Sequence, residues 1–508
     1  MIRKVINSLL IYLTLLIIFI IKWVKKNFYF TSFNQVFITV TNSVGTASKE
    51  MIISFVCNLI YPTILFILFL FIIFITKKIF KHKETILNIL IKNKEYKINL
   101  FNNKLYNIII LFLPTILFVI AIYKTLDYFY VFDYVKQINQ QTTLFEDEYI
   151  NPKDVKIEFP KQKRNLIYIY LESMEATFAS KEVGGKYETN YIPELTKLSK
   201  NNLSFSDTDT YGGAYQARGA DWTIGAMIGY SAGIPYKTLF AGGNFDHLHV
   251  DEFMPGVYTI GEILEKEGYK NYLMVGSDAE FCGRESFFTS HGNYKIYDYY
   301  TAKEDNLIDE DYYVFWGYED NKLFKYAKQK LKEISKEEEP FNFTMLTVDT
   351  HTPDGYLSDF CKDISDNKYL NSIACSSKQV NDFVSWIKKQ DFYKNTTVIL
   401  VGDHLSMNTY SFENLTENER RIYNTILNSK IDTECSKERD FNTFDFFPTT
   451  LASLGANIEG ERLGLGTNLF SCKKTISEKY GAEYINAEIL KSSFYYTKCF
   501  QSGKCEKE

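Results

Sequence analysis

Three long apolar runs near the start of the chain constrain its fold more than any other feature. Residues 5–24 contain one charged side chain, Lys22, and residues 52–76 and 107–123 contain none. Each run is close to the ~20 apolar residues that cross a bilayer as a helix. A cleaved signal peptide could account for the first run but not for three, and no small-residue cleavage site follows it. The pattern predicts a membrane domain over residues 1–124 with about three transmembrane helices.

The charges of the connecting loops predict the orientation of these helices. Between the second and third runs lie eight lysines, against two glutamates: Lys77, Lys78, Lys81, Lys83, Lys92, Lys94, Lys97 and Lys104 against Glu84 and Glu95. Lysine-rich loops stay on the cytoplasmic side of a membrane. We therefore expect a multi-pass inner-membrane protein whose residues after 124 are extracytoplasmic (periplasmic). Within the loop, residues 86–101 fit either an amphipathic piece along the membrane surface or a solvated linker.

The cysteines agree with this orientation. Cys57 lies in the second apolar run, and the other seven cysteines follow residue 280, in the part where disulfides persist. The close pairs Cys361/Cys375 and Cys499/Cys505 are the favoured bridges, although connectivity cannot be deduced from sequence. An odd number leaves at least one of the seven outside such pairs. The net charge of −5 argues against nucleic acid as a partner.

The remainder of the chain predicts an α/β domain. A polar connector over residues 125–163 is followed by alternating strand-like runs and segments with apolar residues three and four apart. Such alternation indicates a mainly parallel central sheet covered by helices on both faces. We assign this domain to residues 164–475 and a C-terminal extension to residues 476–508. The predicted strands lie within residues 165–175, 269–278, 341–354 and 396–404.

Four polar side chains each follow the end of a predicted strand. They are Glu172, His351 and the adjacent pair Asp403 and His404. In a parallel sheet these ends lie on one edge, where open α/β sheets usually keep their chemistry. Glu, Asp and His suit Mn²⁺, Mg²⁺ or Zn²⁺, and three ligands with an open position describe a catalytic metal site. The alternative for an Asp-His pair by itself is a polar, satisfied turn.

A glycine- and alanine-rich segment, residues 211–235, offers a nucleophile. It becomes helical from about Asp221, which places Thr223 in the first turn, where backbone N–H groups favour an anion. A metal can deprotonate a hydroxyl there for attack on phosphorus. The alternative is a threonine that only caps the helix. His247 and His249 follow a glycine-rich loop and are left out of the predicted site.

Five segments in order resemble a known family. Together they are similar to membrane phosphoglycerol transferases that modify osmoregulated periplasmic glucans and, more distantly, to lipoteichoic acid synthases and phosphoethanolamine transferases. All belong to the alkaline phosphatase and sulfatase superfamily. The resemblance covers about residues 165–470, and the membrane part matches only in layout. The segments are YLESMEATF, GADWTIGAMIGYSAGIP, LTVDTHTPDG, VGDHLSM and DFFPTTLASLG with RLGLGTNLF.

The resemblance implies an alkaline phosphatase/sulfatase-like α/β/α fold and a role for each matching residue. Thr223 falls on a nucleophile that is also a metal ligand and becomes phosphoglycerylated. Arg284 and His351 fall on residues near the substrate phosphate or glycerol. The lipoteichoic acid synthases have a histidine where this chain reads Val275-Gly276, so the glucan-modifying branch matches better. The implied metal ligands, usually for Mn²⁺, are Glu172, Thr223, Asp403 and His404.

The function expected from these residues is phosphotransfer at the membrane surface. Metal-activated Thr223 would take phosphoglycerol from a phospholipid and pass it to an envelope glycan. We predict phosphatidylglycerol as the phospholipid. A phosphoethanolamine transferase acting on lipopolysaccharide or another glycan remains an alternative, as does a lipoteichoic acid synthase-like polymerase. A non-catalytic glycan-binding domain is disfavoured because Glu, Thr, Asp and His are all retained. A sulfatase activity is disfavoured because none of the ten prolines has the C/S-x-P-x-R setting.

Overall fold

The structure, a computed structural model, describes most of the chain and divides it into two compact units. The first unit is Met1–Phe33 with Val44–Asp133, and the second is Asn34–Ser43 with Tyr134–Glu508. The boundaries predicted at residues 124, 163 and 475 stay predictions. The described residues are 2–28, 30, 32–42, 49–79, 86–91, 94–99, 104–237, 253–408, 410–412 and 415–505.

Two helices of the N-terminal part are long and apolar enough to cross a membrane, as the sequence predicted. They include Val5–Asn27 and Met51–Ile75; a third span exists only if Phe112–Tyr128 and Val131–Ile138, bent by 59°, count as one. The third predicted span therefore stays a prediction. In chain order the elements are α1 (Ile2–Asn27), α2 (Phe33–Asn42), α3 (Lys49–Ile79), β1 (Ile86–Ile91), β2 (Lys94–Asn99) and α4 (Lys104–Tyr128).

Polar side chains join the first two of these long helices inside the first unit. The Trp23 indole N–H of α1 donates to Ser54 Oγ of α3 at 3.0 Å, and Asn58 Nδ2 of α3 donates to the Phe19 carbonyl at 2.9 Å. The loop that follows α3 differs from both alternatives given for it. β1 and β2 pair as an antiparallel hairpin, with Ile91 opposite Lys94, because two extended runs are joined by only two residues.

The second unit contains α2 from Asn34 onward and the elements that follow α4, the first of which, Val131–Ile138, begins in the first unit. Its helices are α5 (Val131–Ile138), α6 (Leu144–Glu148), α7 (Pro193–Asn201), α8 (Thr223–Ala232), α9 (Ile260–Lys266), α10 (Arg284–Ser290), α11 (Tyr299–Glu304), α12 (Asp320–Ile334), α13 (Lys368–Ile387), α14 (Phe446–Ser453), α15 (Ile476–Tyr480) and α16 (Ala482–Leu490). Its strands are β3 (Ile157–Glu158), β4 (Asn165–Leu171), β5 (Lys270–Val275), β6 (Lys295–Tyr297), β7 (Phe341–Leu346), β8 (Thr396–Gly402), β9 (Asn424–Leu427), β10 (Asn457–Ile458), β11 (Arg462–Leu463) and β12 (Gly466–Thr467).

A six-stranded sheet forms the centre of this unit, in the order β6-β5-β7-β4-β8-β9. Every neighbouring pair is parallel except β8 with the edge strand β9. The four strands predicted from sequence are the adjacent strands β5, β7, β4 and β8. The predicted α/β class with a mainly parallel sheet is therefore confirmed, and the carboxyl ends of these four strands share one edge.

Both faces of the sheet are covered, which explains the continuous apolar runs of its strands. Along β4, Tyr168 and Tyr170 join a core that includes residues of α8, α9 and α14, whereas Ile167 and Ile169 join a core with residues of α7, α12 and α13. Alternate side chains of a strand point to opposite faces, so one strand contributes to two cores. Burying an isoleucine or leucine completely is worth ~1.5–3 kcal/mol.

The C-terminal segment packs into the first of these cores. Tyr496 and Phe500 contact the ring of Phe145, with centroids 5.3 and 5.9 Å away. The Tyr496 hydroxyl donates to the Pro235 carbonyl at 2.9 Å, just after α8. The predicted C-terminal extension thus helps to hold the segment that follows α8.

Both favoured disulfides are confirmed, and a third bridge joins Cys435 to Cys472. Among the described residues, Cys57 and Cys282 are free. No sequence pattern indicated the third bridge, because its cysteines are 37 residues apart and only the fold brings them together.

We expect removal of the Cys361–Cys375 bridge to lower the free energy of unfolding by ~3 kcal/mol, since it closes a loop of about 15 residues. Thermal unfolding of the Cys361→Ser/Cys375→Ser variant would measure this loss, and Cys282→Ser is the matched control without a bridge. Non-reducing peptide mapping should recover the three linked pairs. Recovery of Cys361 and Cys375 as free thiols from the native compartment would contradict the assignment.

Candidate active site

Glu172 is the first residue after β4 and lies at the carboxyl edge of the sheet. Its backbone N–H donates to Thr347 Oγ1 at 3.0 Å, and Thr350 Oγ1 donates to its carbonyl. Ser173 follows with a left-handed φ of 53° and donates from its hydroxyl to Glu172 Oε1 at 2.7 Å. The turn after β4 therefore holds the carboxylate in one orientation, and the side chain is buried.

Asp403 and His404 follow β8, the next strand in the sheet. Gly402 allows this placement, because a Cβ there would lie 1.9 Å from the Met174 carbonyl oxygen. Asp403 Oδ1 accepts from the backbone N–H groups of Ser173 and His404, at 2.7 and 2.8 Å. Among the described residues, no hydrogen-bond partner is present for the buried Asp403 Oδ2. A buried carboxylate oxygen without a donor is suited to a cation.

The tautomer of His404 follows from its neighbour. His404 Nδ1 lies 2.9 Å from the Leu405 carbonyl, which only accepts, so the proton is assigned to Nδ1. Nε2 then faces the carboxylates, 3.4 Å from Asp403 Oδ2 and 3.6 Å from Glu172 Oε1. A histidine held by its second nitrogen is typical of metal ligands.

Thr223 begins α8 beside these residues. Its hydroxyl donates to Glu172 Oε2 at 3.2 Å. No side chain caps the start of α8, since Trp222 at the N-cap makes no such hydrogen bond. The first-turn N–H groups that a cap would occupy are therefore left for another partner. The structure thus brings Thr223 together with Glu172, Asp403 and His404.

The donor atoms of Glu172, Asp403 and His404 lie within 4.8 Å of one another, close enough to hold one metal ion. Burial and the nearby charge of Glu172 raise the pKa of Asp403. Burial by itself would raise the pKa of Glu172, but the charges of His404 and His351 lower it. Burial would likewise lower the pKa of His404, and the two carboxylates raise it. Two buried carboxylates that compete for one imidazole fit a site built for a divalent cation.

Arg284 and His351 lie on the same edge but make no hydrogen bond to these four residues in the described part of the chain. Arg284 is buried; it donates to Ser277 Oγ at 2.9 Å and to the Asp278 carbonyl, while its Nε has no partner. His351 Nδ1 lies 2.8 Å from the Thr352 carbonyl. A buried guanidinium with an unused N–H close to Glu172 is suited to an anionic ligand.

Sequence reasoning missed the residues that hold the Thr223 segment. Gln35 of α2 donates from Nε2 to the Asp221 carbonyl at 2.7 Å. Asn486 of α16 accepts from the Arg218 N–H at 2.8 Å and donates to the Gln216 carbonyl at 3.0 Å. These partners are separated by 186 to 270 residues, so no local pattern could have indicated them. His247 and His249, left out of the predicted site, lie outside the described residues.

A mainly parallel sheet with helices on both faces, and with Glu, Thr, Asp and His meeting at its carboxyl edge, defines an alkaline phosphatase-like α/β domain. The chain belongs to the sulfatase family, whose model matches residues 164–456. The segment that resembled this superfamily in sequence is therefore the segment that the family model matches.

Two curated relatives carry the same name. Phosphoglycerol transferase I of Escherichia coli is 32% identical over 319 residues, which cover 61% of this chain and 40% of that protein. Its counterpart from Salmonella choleraesuis is 31% identical over 318 residues, with the same shares. The chain thus spans about two fifths of the length of these relatives.

A solved structure extends the likeness to the N-terminal part of the chain. The integral membrane protein lipooligosaccharide phosphoethanolamine transferase A from Neisseria meningitidis matches 89% of this chain and 84% of its own, with a TM-score of 0.50. Its sequence identity is 14%, so the likeness concerns the fold alone.

Proposed function

We propose that this protein is a metal-dependent phosphotransferase that moves phosphoglycerol from a membrane phospholipid to an envelope glycan through a phosphothreonine at Thr223. One observation carries the proposal: the Thr223 hydroxyl lies 3.2 Å from Glu172 Oε2, beside a buried Glu-Asp-His cluster at the start of a helix. A threonine that merely capped the helix would direct its hydroxyl to the backbone of α8.

Glu172, Asp403, His404 and the Thr223 hydroxyl would hold the metal, for which we propose Mn²⁺, with Mg²⁺ and Zn²⁺ as alternatives. Asp403 Oδ2 and His404 Nε2, the nitrogen left over once the proton is assigned to Nδ1, would supply the lone pairs that such an ion needs. When bound, the ion would lower the pKa of the threonine hydroxyl and neutralise phosphoryl charge.

The reaction then follows in two displacements. Thr223 Oγ1 forms a bond to phosphorus while the bond from phosphorus to the diacylglycerol oxygen breaks. The hydroxyl proton, already directed at Glu172, ends on the diacylglycerol oxygen. In the second step a sugar hydroxyl of the acceptor attacks phosphorus, the bond to Thr223 breaks, and the acceptor proton returns to Thr223. The start of α8, where backbone N–H groups and the helix dipole favour an anion, would stabilise the negative charge that develops in both steps.

Arg284 and His351 are proposed to bind the phosphate or glycerol of the substrate. Arg284 offers its unpartnered Nε–H, and its burial strengthens a charge-assisted hydrogen bond. His351 has Nε2 available, because Nδ1 is the nitrogen nearest the Thr352 carbonyl. Both side chains would stabilise negative charge on the phosphoryl oxygens.

The name of the relatives at 31–32% identity supports phosphoglycerol as the transferred group. Phosphatidylglycerol as the donor is our proposal, because its head group is phosphoglycerol. The phosphoethanolamine transferase is similar at 14% identity only, and remains the second candidate because the threonine chemistry would be the same. A lipoteichoic acid synthase-like polymerase is disfavoured by Val275-Gly276, where those enzymes have a histidine.

The test is mass spectrometry of the peptide that contains Thr223, after the full-length protein is incubated with phosphatidylglycerol and Mn²⁺ without acceptor. We expect a covalent glycerol phosphate on Thr223 and none in a chelator-treated sample. An ethanolamine phosphate adduct, formed only with phosphatidylethanolamine, would favour the second candidate. An unmodified peptide while lipid is being cleaved would mean that water or acceptor attacks directly.

We further propose that the protein is a multi-pass inner-membrane protein with its catalytic domain outside. The Gln35–Asp221 hydrogen bond supports this, because it requires the loop after α1 and the catalytic domain to share one side of the membrane. The chain must then cross an even number of times between them, which α3 and α4 provide. The three disulfides support an oxidising compartment for that side.

A reporter that is active only outside the cytoplasm tests this topology. Fused after Gln140 it should be active, and fused after Leu90, in the lysine-rich loop, it should be silent. The same activity at both positions would leave no third span, and the reverse pattern would place the catalytic domain in the cytoplasm.

A further inference from the structure

The loop between α11 and α12 presents aromatic side chains beside His351. Phe315 and Trp316 are adjacent and both have left-handed backbone angles, with φ values of 38° and 69°. Bulky residues rarely adopt this conformation, and it persists only where surrounding structure imposes it. Phe315 stacks on Tyr356 with ring centroids 6.1 Å apart and an interplanar angle of 24°. We call Phe315, Trp316 and Tyr356 the aromatic ledge.

Backbone contacts fix this loop to the end of β5. The Val314 N–H donates to the Gly317 carbonyl at 2.8 Å, and the Tyr318 N–H donates to the Gly276 carbonyl at 2.9 Å. Gly317 has a φ of 144°, and a Cβ there would lie 2.2 Å from the Gly276 carbonyl oxygen. The chain is therefore held against the strand whose following loop carries Arg284.

The aromatic ledge is continuous with the candidate active site. The Trp316 ring lies 4.6 Å from the His351 ring and 5.5 Å from the Phe281 ring, measured between centroids. Phe281 in turn lies 5.6 Å from the guanidinium carbon of Arg284. Trp316 therefore bridges the two side chains proposed to bind the phosphoryl group. A molecule lying on the ledge would meet the site at the point where the acceptor hydroxyl must arrive.

The side chains of the ledge are partly accessible to solvent, so a ligand can reach them. Phe315, Trp316 and Tyr356 are each partly exposed rather than buried. Partly exposed aromatic rings held rigidly next to a reaction site mark a binding surface more often than a core. Planar rings of this size match the apolar C–H face of a pyranose, whose hydroxyl groups remain free for hydrogen bonds at its rim.

The charges around the ledge favour a neutral ligand. Asp309, Glu310 and Asp311 are exposed in the same loop. Beyond burial, the carboxylates of Glu319, Asp359 and Asp349 raise the pKa of Tyr356 and the ammonium of Lys322 lowers it, so carboxylates outnumber the cation near this ring. Like charges repel a chain of phosphates, whereas an unsubstituted sugar carries no charge to be repelled.

We infer that the aromatic ledge binds a neutral glucan chain, the acceptor, and presents one of its hydroxyls to the phosphothreonine. The inference rests on the proposed function for the identity of the reaction, but the binding itself can be measured without turnover. The five segments that resemble the family do not contain Phe315, Trp316 or Tyr356.

The experiment uses the full-length Thr223→Ala protein in detergent, titrated with a neutral β-glucan oligosaccharide and followed by saturation-transfer NMR and calorimetry. We expect saturation of sugar ring protons. Adding Trp316→Ala or Tyr356→Ala should weaken binding about tenfold each, equivalent to ~1.4 kcal/mol. Trp316→Phe, which keeps a ring, should retain most of the affinity and excludes misfolding as the cause. Trp386→Phe, in a stacked pair with Phe383 on α13, is the matched control.

Three results would overturn the inference. They are no binding of the glucan by the parent, affinities of the two alanine variants equal to that of the parent, and equal competition by a short polyglycerol phosphate chain. Phosphothreonine formation on the wild-type chain is measured separately. A modified Thr223 without glucan binding would refute the inferred role of the aromatic ledge and would still support the proposed function. Glucan binding on the ledge with an unmodified Thr223 would support the inferred role of the ledge and refute the phosphothreonine mechanism.

Discussion

Thr223→Ala is expected to abolish transfer, with a loss of at least ~10⁴-fold in rate, because removing a nucleophile leaves only binding and electrostatic contributions. The side chain is only partly buried and makes one hydrogen bond, to Glu172. The free energy of unfolding should therefore change by only about 1–2 kcal/mol. Thr223→Ser keeps the hydroxyl and should keep measurable activity. Single-turnover cleavage of radiolabelled phospholipid in detergent would report each variant.

Thr259→Ala is the matched control for this experiment. Thr259 also lies at the start of a helix, α9, where its side chain accepts from the Glu262 N–H. Its loss should cost about 1 kcal/mol of stability, as for other N-caps, and leave transfer intact. Wild-type rates in Thr223→Ala would show that Thr223 is not the nucleophile.

Asp403→Asn should weaken metal binding by more than the ~10–100-fold that loss of an outer-shell partner costs, because Asp403 is proposed to contact the ion directly. The readouts are metal content after dialysis and the thermal midpoint with and without Mn²⁺. A free metal concentration of 100 times the dissociation constant should stabilise the wild type by ~2.7 kcal/mol and the variant by much less. Transfer activity should fall with metal content.

The same substitution makes a second prediction, of opposite sign. Without metal, Asp403→Asn should be at least as stable as the wild type, since it removes one of two buried carboxylates that repel each other. Asp382→Asn, at an exposed position on α13, is the matched control and should change neither stability nor metal binding. A metal-free variant far less stable than the metal-free wild type would mean that Asp403 acts through its two backbone hydrogen bonds instead.

The hydrogen bonds from Gln35 and Asn486 show how distant parts of the second unit hold the segment before Thr223. Gln35 contacts the Asp221 carbonyl from a helix between the first two apolar runs, and Asn486 contacts residues 216 and 218 from near the C-terminus. Gln216 connects this segment to the turn after β8, because its Oε1 accepts from the Leu405 N–H at 2.9 Å. The Thr223 segment and the Asp403-His404 turn are thereby held together by residues that lie far from them in the sequence.

Hydrophobic pattern alone predicted the four parallel strands, the apolar helices and the edge of the sheet where the candidate active site lies. This was possible because a buried strand must be apolar over its own length, and because parallel strands end on the same edge. Glu172, Asp403 and His404 could be nominated from their positions directly after strands. Thr223 needed only the change from a glycine-rich loop to a helix.

Only the tertiary structure decided which side chains meet. The hairpin of β1 and β2, the Cys435–Cys472 bridge, the supports from Gln35 and Asn486 and the position of Trp316 against His351 were all absent from the sequence patterns. Each depends on how distant segments pack, and packing is set by the sum of many weak contacts that no short window of sequence contains. Local hydrophobicity determines the elements and their ends, whereas contacts between residues up to 270 positions apart exist only after those elements have packed.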